Sequence, residues 1–328
     1  MKMVFKARHI ALALILLAPT ASTGALAQAT PNHVLQTIDT LMNELALLHE
    51  ANLSKPPQTK ATVPPNRRPR HVYQKAREIF LKADSARWLN GLKQLELPPP
   101  PTREITPGDV KVLVQKTLES VRDLKPVFSV TQKAAEASLP SGKTPTNVFK
   151  GLIRAGASID ALGIPAVVPN DVYRLALTAT DSLEKVLTKR GIRVEAQVRD
   201  AGRSTGKKPT QVYKQGIELL AALKAATDSS ANLKVPGGIV IPAMPDDAIT
   251  PGRVLDLTGN ILADVGAMKA VLGIAQPTAL APIQAGKTPS DVYDALNRAT
   301  QMALALSGPG ATPKRPEPNQ GPAQEVSQ

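Results

Sequence analysis

The chain has 328 residues, a formal net charge of +13, no cysteine and only 3% aromatic residues. Without cysteine it can form no disulfide, thiolate metal site, cysteine nucleophile, lipoprotein anchor or cysteine-attached haem. So few aromatic rings argue against a surface that stacks nucleic-acid bases, and abundant Ala and Leu suit helices packed through aliphatic seams.

The first residues read as an export signal. Lys2, Lys6 and Arg8 precede an apolar stretch at 10–19 that is too short to span a bilayer. Ala25-Leu26-Ala27 and Ala27-Gln28-Ala29 both fit a small-x-small cleavage site, and cleavage after Ala27 is preferred. Removing 1–27 takes away three cations and leaves +10 on the mature chain. A cysteine-free exported chain points to the periplasm of a Gram-negative bacterium, or to secretion beyond it. No later segment has the roughly 20 apolar residues a membrane span needs.

From Thr30 onward one phrase recurs. Thr30-Pro31-Asn32-His33-Val34 opens a helical periodicity, and equivalents begin at Pro69, Pro107, Pro145, Pro169, Pro209, Pro251 and Pro289. Thr is a good N-cap, Pro suits the first helical position, and a polar third residue can bond back to the cap. That third residue is Asp, Asn, Gln or His in seven of the eight copies. Arg68, Val168 and Lys208 replace Thr as the cap in three.

The first helix, 31–51, places Val34, Ile38, Leu41, Leu45 and Leu48 on one stripe. After a polar linker, the second, at about 69–92, carries Val72, Ala76, Ile79, Ala83 and the lone Trp88. Prolines 98–101 force an extended stretch. Helix three aligns Val110, Val114, Leu118 and Val121, a short helical patch is expected at 132–137, and helix four aligns Val148, Leu152, Ala155 and Ile159. The shortest linker precedes helix five (Val172, Leu175, Ala179, Leu183, Val186). A basic loop at 191–206 leads to helix six (Val212, Leu219, Leu220, Leu223), and the linker at 235–247 includes a candidate extended piece at 237–241. Helix seven (Val254, Ile261, Val265, Met268) and helix eight (Val292, Leu296, Ala299, Ala303) follow, and 308–328 has the composition of a disordered tail.

The expected fold is therefore all-α: a tandem array of four antiparallel helix pairs, eight main helices with Pro-rich linkers, bundle-like or stacked as hairpins. Residues 28–165 hold the first two pairs and 166–307 the last two.

Signals for chemistry are few. Gly142-Lys143-Thr144 and Gly286-Lys287-Thr288 resemble the end of a phosphate-binding loop, but the required earlier Gly is Ala137 or Ala281. His33 and His71 fill cap slots, and His49 stands beside Glu50; all three read as satisfied surface histidines, without the spacing of a zinc site. No catalytic, metal or cofactor residues are assigned. An aromatic residue follows the opening Val in five copies, Tyr73, Phe149, Tyr173, Tyr213 and Tyr293, which suits packing on a neighbouring helix end.

If helix directions alternate, one end gathers Arg67, Arg68, Lys143, Lys189, Arg190, Arg193, Lys207, Lys208 and Lys287. Such a rim is a candidate binding surface for an anionic envelope component or an acidic protein, though basic residues near helix C-termini also serve simply to complement the dipole. The expectation is an exported, non-enzymatic binding or scaffold protein. Two other classes stay open: a helical bundle that holds a small molecule near the tyrosines, and an envelope hydrolase with a dispersed site.

Overall fold

A computed structural model of the chain describes residues 28–55, 57, 63–194 and 203–307. The expected export signal and the tail at 308–328 lie outside the described residues. The eight expected helices are present, and among the described residues there is no strand. They are α1 (Pro31–Ala51), α2 (Pro69–Leu89), α3 (Pro107–Arg122), α4 (Pro145–Asp160), α5 (Pro169–Lys189), α6 (Pro209–Ser229), α7 (Pro251–Val271) and α8 (Pro289–Leu306).

Each helix begins at the repeated proline, and the capping chemistry explains why the cap residue can vary. The third helical residue accepts the backbone N–H of the cap in seven helices, for example Thr106 to Asp109 (2.8 Å), Thr144 to Asn147 (2.9 Å) and Arg68 to His71 Nδ1 (3.1 Å). Val168 and Lys208 keep this bond through Asp171 and Gln211. A cap without a hydroxyl thus loses only one half of the reciprocal pair.

The directions of the helices overturn the expected antiparallel pairs. Pro31, Val34, Pro69, Val72, Pro107, Val110, Pro145 and Val148 line one small apolar pit, so α1 to α4 all start at the same end. The corresponding Pro and Val residues of α5 to α8 line a second pit. The opposite ends also meet: His49, late in α1, hydrogen-bonds Ser158, late in α4. The protein is two parallel four-helix bundles. The helices of each sequential pair, α1 with α2 and α3 with α4, sit on diagonals, because α1 and α2 each pack against α3 and α4 but not against each other. The second bundle repeats this order, with α5 and α6 each packed against α7 and α8.

Parallel neighbours require every linker within a bundle to return the bundle's length, and these linkers can. A helix of 21 residues is about 30 Å long at 1.5 Å per residue, whereas extended chain covers about 3.1 Å per residue. The gap from Ala51 to Pro69 is ample for the journey. The short helical patch expected at 132–137 does not form; these residues are part of such a return. There Gln36 and Asn43 donate to the carbonyls of Ala137 and Ala135, and the Ala137 N–H donates to Thr40. The candidate extended piece at 237–241 forms no strand; Ile239 plugs the second core instead.

Each bundle has its own apolar core, one spanning Val34 to Ile159 and the other Val172 to Leu306. The bundles join through α2 and α7, which run in opposite directions: Arg70 meets Asp264 while Lys75 meets Asp256. Opposed bundles place the finish of α4 beside the start of α5. That is why the connection from Asp160 to Pro169 is the shortest in the chain.

Candidate functional site

Six of the nine candidate rim cations lie at the repeated helix starts. The residue two before the N-cap of each even helix has left-handed backbone: Asn66 (φ 62°), Gly142 (65°), Gly206 (67°) and Gly286 (73°). That turn aims the next N–H at the neighbouring helix start. Arg67 donates to Thr146, Lys143 to Asn32, Lys207 to Ser290 and Lys287 to Asn170. The side chains of three of these then lie over the repeated aromatic slot: Arg67 over Phe149 (4.8 Å), Lys207 over Tyr293 (4.3 Å) and Lys287 over Tyr173 (4.5 Å). Lys143 faces a helix whose slot residue is Leu35 and stays exposed. The sequence GKTP is thus an interhelix clasp rather than a phosphate loop.

The nine cations do not share one end. Arg67, Arg68 and Lys143 sit at the start of the first bundle, and Lys207, Lys208 and Lys287 at the start of the second. Because the bundles are opposed, these two groups face opposite ways. Lys189, Arg190 and Arg193, all exposed, follow the finish of α5. Of the aromatic slots, Tyr73, Phe149 and Tyr213 are buried, while Tyr173 and Tyr293 are half-buried under their lysines.

The seam between bundles carries the densest chemistry. Asp264 of α7, 1% exposed, accepts Arg70 Nε at 2.7 Å and His71 Nε2 at 2.9 Å. The Arg70 fork also donates to the carbonyls of Pro236 (2.8 Å) and Gly238 (2.6 Å). Burial pushes the Asp264 carboxyl up, but His71 and Arg70 more than offset this and hold it below its ordinary range. Burial pulls the His71 imidazole down; Asp264 opposes this only partly, and Arg70 and Arg67 add to it. Nδ1 accepts the cap N–H while Nε2 faces Asp264, so the ring bridges cap and seam as a neutral tautomer. His49 is also buried, between Ser54 and Ser158. His49 and His71 are therefore interior residues, contrary to the surface reading.

A second group lies along the seam. Lys75 Nζ donates to both oxygens of Glu78 (2.8 and 2.9 Å) and to Asp256 (2.7 Å). Burial disfavours its charge, yet Asp256 and Glu78 outweigh it and hold the ammonium above its usual range. Burial, reinforced by Asp256, pushes the Glu78 carboxyl up against the pull of Lys75 and Lys82.

Two clefts flank the seam. One, of about 270 Å³, is lined by this mixed-charge group with Phe149, Arg174 and apolar residues of the α4–α5 connection. The other, of about 500 Å³, lies between the start of α2 and the second half of α7. Its charged lining is Arg68, Arg70, Arg77, Arg103 and Lys269 against a single carboxylate, Glu104. Tyr73 closes one side, and α7 supplies an apolar wall from Leu262 to Val271. Arg70 is satisfied by Asp264, and Arg103 by both oxygens of Asp109. Arg77 bonds the Pro98 carbonyl and Tyr73. Lys269 is different. It is 4% exposed, donates to the Gln276 carbonyl and to Thr278 Oγ1, and faces no carboxylate. Burial, with a smaller push from Lys185, pulls its pKa down to about 8.

Sequence reasoning missed Arg70, Lys75, Asp256, Asp264 and Lys269. One signal was available: α7 is apolar on more than one face, with Leu255, Leu257 and Leu262 beside its main stripe, as a helix flanked on two sides must be. Among the described residues no group of three potential ligands could hold a metal ion, and no helix is long and apolar enough to cross a membrane. Compared with known protein families, curated proteins and solved structures, the chain matches none.

Proposed function

We propose that this is an exported, non-catalytic binding protein of a bacterial cell envelope, and that the larger cleft between its bundles receives a small anionic ligand. One observation carries this reading: five cations and one carboxylate line a cleft of about 500 Å³, and its buried Lys269 has no counter-ion. That volume lies within the range of small-molecule sites, roughly 300–1,000 Å³. A position at the seam of two units is also where such sites tend to form. The charged helix starts give a docking rim less support than their number suggests, because three of their cations are held over aromatic rings. A hydrolytic role for Glu78 is disfavoured because Lys75 occupies both of its oxygens.

Gly266 supplies the test. It lines the cleft in mid-α7, and a Cβ added there meets nothing within 4 Å. Gly266→Trp should therefore fill the cleft without disturbing the bundles. In a thermal-shift screen of small anions, cations and neutral compounds, anions should stabilise the wild type and leave this variant unmoved. Equal stabilisation of both proteins would remove the cleft as the site. Export is tested separately: the mature protein should fractionate with the periplasm or medium and begin at Gln28.

A further inference from the structure

Lys269 stands at the polar end of the larger cleft, where its surroundings define what is missing. An ammonium has three N–H donors, and the protein supplies two acceptors, the Gln276 carbonyl and Thr278 Oγ1. Thr278 Oγ1 also accepts from Ser182 Oγ at 2.9 Å, so its two acceptor positions are filled and its own hydroxyl proton is left to donate. Ser182 is 1% exposed and Thr278 9%, so water reaches this corner poorly. Two donors, one cationic, thus lie side by side in a nearly dry corner without protein acceptors. Of the guanidinium forks that would suit a dianionic phosphate, those of Arg70, Arg103 and Arg77 are engaged by Asp264, Asp109 and the Pro98 carbonyl, and the exposed Arg68 reaches the Gly237 carbonyl at 3.4 Å. Below the ammonium, α7 presents Gly266, Ala267 and Ala270 to the cleft, with Val271 and Ile274 beyond. This wall can cover a narrow apolar body but offers it no hydrogen bonds.

We propose that the cleft binds an amphipathic monocarboxylate, its two oxygens accepting from Lys269 and Thr278 and its apolar body lying along Gly266, Ala267 and Ala270. This rests on the cleft being the ligand site. The carboxylate supplies the counter-ion that the buried ammonium lacks, and two acceptor oxygens match two open donors. Binding then favours the charged form of Lys269. The other charged groups facing it are Lys185 from α5 and, lining the same cleft, Arg68, Arg70, Arg77, Arg103 and Glu104. Lys269, whose charged form burial disfavours, sets the pH dependence there.

The probe is decanoate, titrated calorimetrically into the mature protein, with decanol, decylamine and decyl phosphate as comparisons. Decanoate should bind at pH 7 with net proton uptake at pH 8, seen as a heat that changes with the ionisation enthalpy of the buffer. With Lys269 titrating at about 8, affinity should fall about tenfold between pH 7 and pH 9. Lys269→Met should weaken binding about tenfold or more at pH 7 and abolish that pH dependence, while Gly266→Trp should abolish binding. Decanoate blocked by Gly266→Trp but bound equally by wild type and Lys269→Met would overturn the head-group assignment and leave the cleft standing. Tighter binding of decyl phosphate or decanol would overturn the carboxylate class. Binding unaffected by Gly266→Trp, or no binding of any probe, would overturn the proposal, and the thermal-shift screen decides separately whether the cleft survives as a site.

Discussion

His71 shows how one side chain can serve a helix start and a domain seam together. The folded protein holds its pKa below the ordinary value of 6.5, chiefly by burial. As pH falls through that value the unfolded chain takes up a proton that the folded chain resists. Its contribution is therefore intact above about pH 6.5 and is eroded below it. His49 acts in the same direction, since burial lowers its pKa against a weaker opposing bond from Ser158. Asn147 fills the same cap slot as His71, so His71→Asn should keep the cap while losing the bond to Asp264. The expected result is a loss of about 1–3 kcal/mol at pH 8 and a shallower decline in stability from pH 7 to pH 5. Urea denaturation across pH reads both. An unchanged slope would mean that His71 protonates in the folded state without resistance.

Among the elements, the helix start is where local chemistry is most legible. Cap, Pro, third polar residue and Val lie within five positions, so their bonds are local and every helix was placed at its correct first residue. The four even starts add a clasp, and its parts can be separated by substitution. Gly286 has φ +73°, and Asn66 holds the equivalent backbone at 62° in the first bundle. Gly286→Ala should cost about 1–2 kcal/mol and Gly286→Asn markedly less, measured by chemical denaturation. Lys207 lies over Tyr293 at 4.3 Å whereas Lys208 is exposed. Lys207→Ala should accordingly cost about 0.5–1 kcal/mol, and Lys208→Ala should be close to neutral. Direction was the illegible part. An apolar stripe such as Val34, Ile38, Leu41 and Leu45 looks the same whichever way its neighbour runs, and the linkers are long enough for either arrangement. Trp88, near the end of α2, is 60% exposed.

For the whole molecule, the outcome depends on contacts between residues far apart in the chain. Arg70 and Asp264 are 194 positions apart, and nothing near either residue in sequence announces the other. This is why the cleft was invisible while the helices that border it were not. Each bundle buries its own core, so the seam is a separate layer of stability held by the Asp264 and Lys75 groups. Removing one partner of a buried ionic group is costly because the others remain buried without it, typically about 3–5 kcal/mol. Asp264→Ala strands both Arg70 and His71 in this way. The loss falls on the seam and leaves both cores intact, so calorimetry should show one unfolding transition in the wild type and two in the variant. The connection from Asp160 to Pro169 should also become the first site of proteolytic cleavage, releasing two helical fragments. If the variant unfolded in one step at a lower temperature, the bundles would not be independent units, and the cleft between them would be an integral part of one fold.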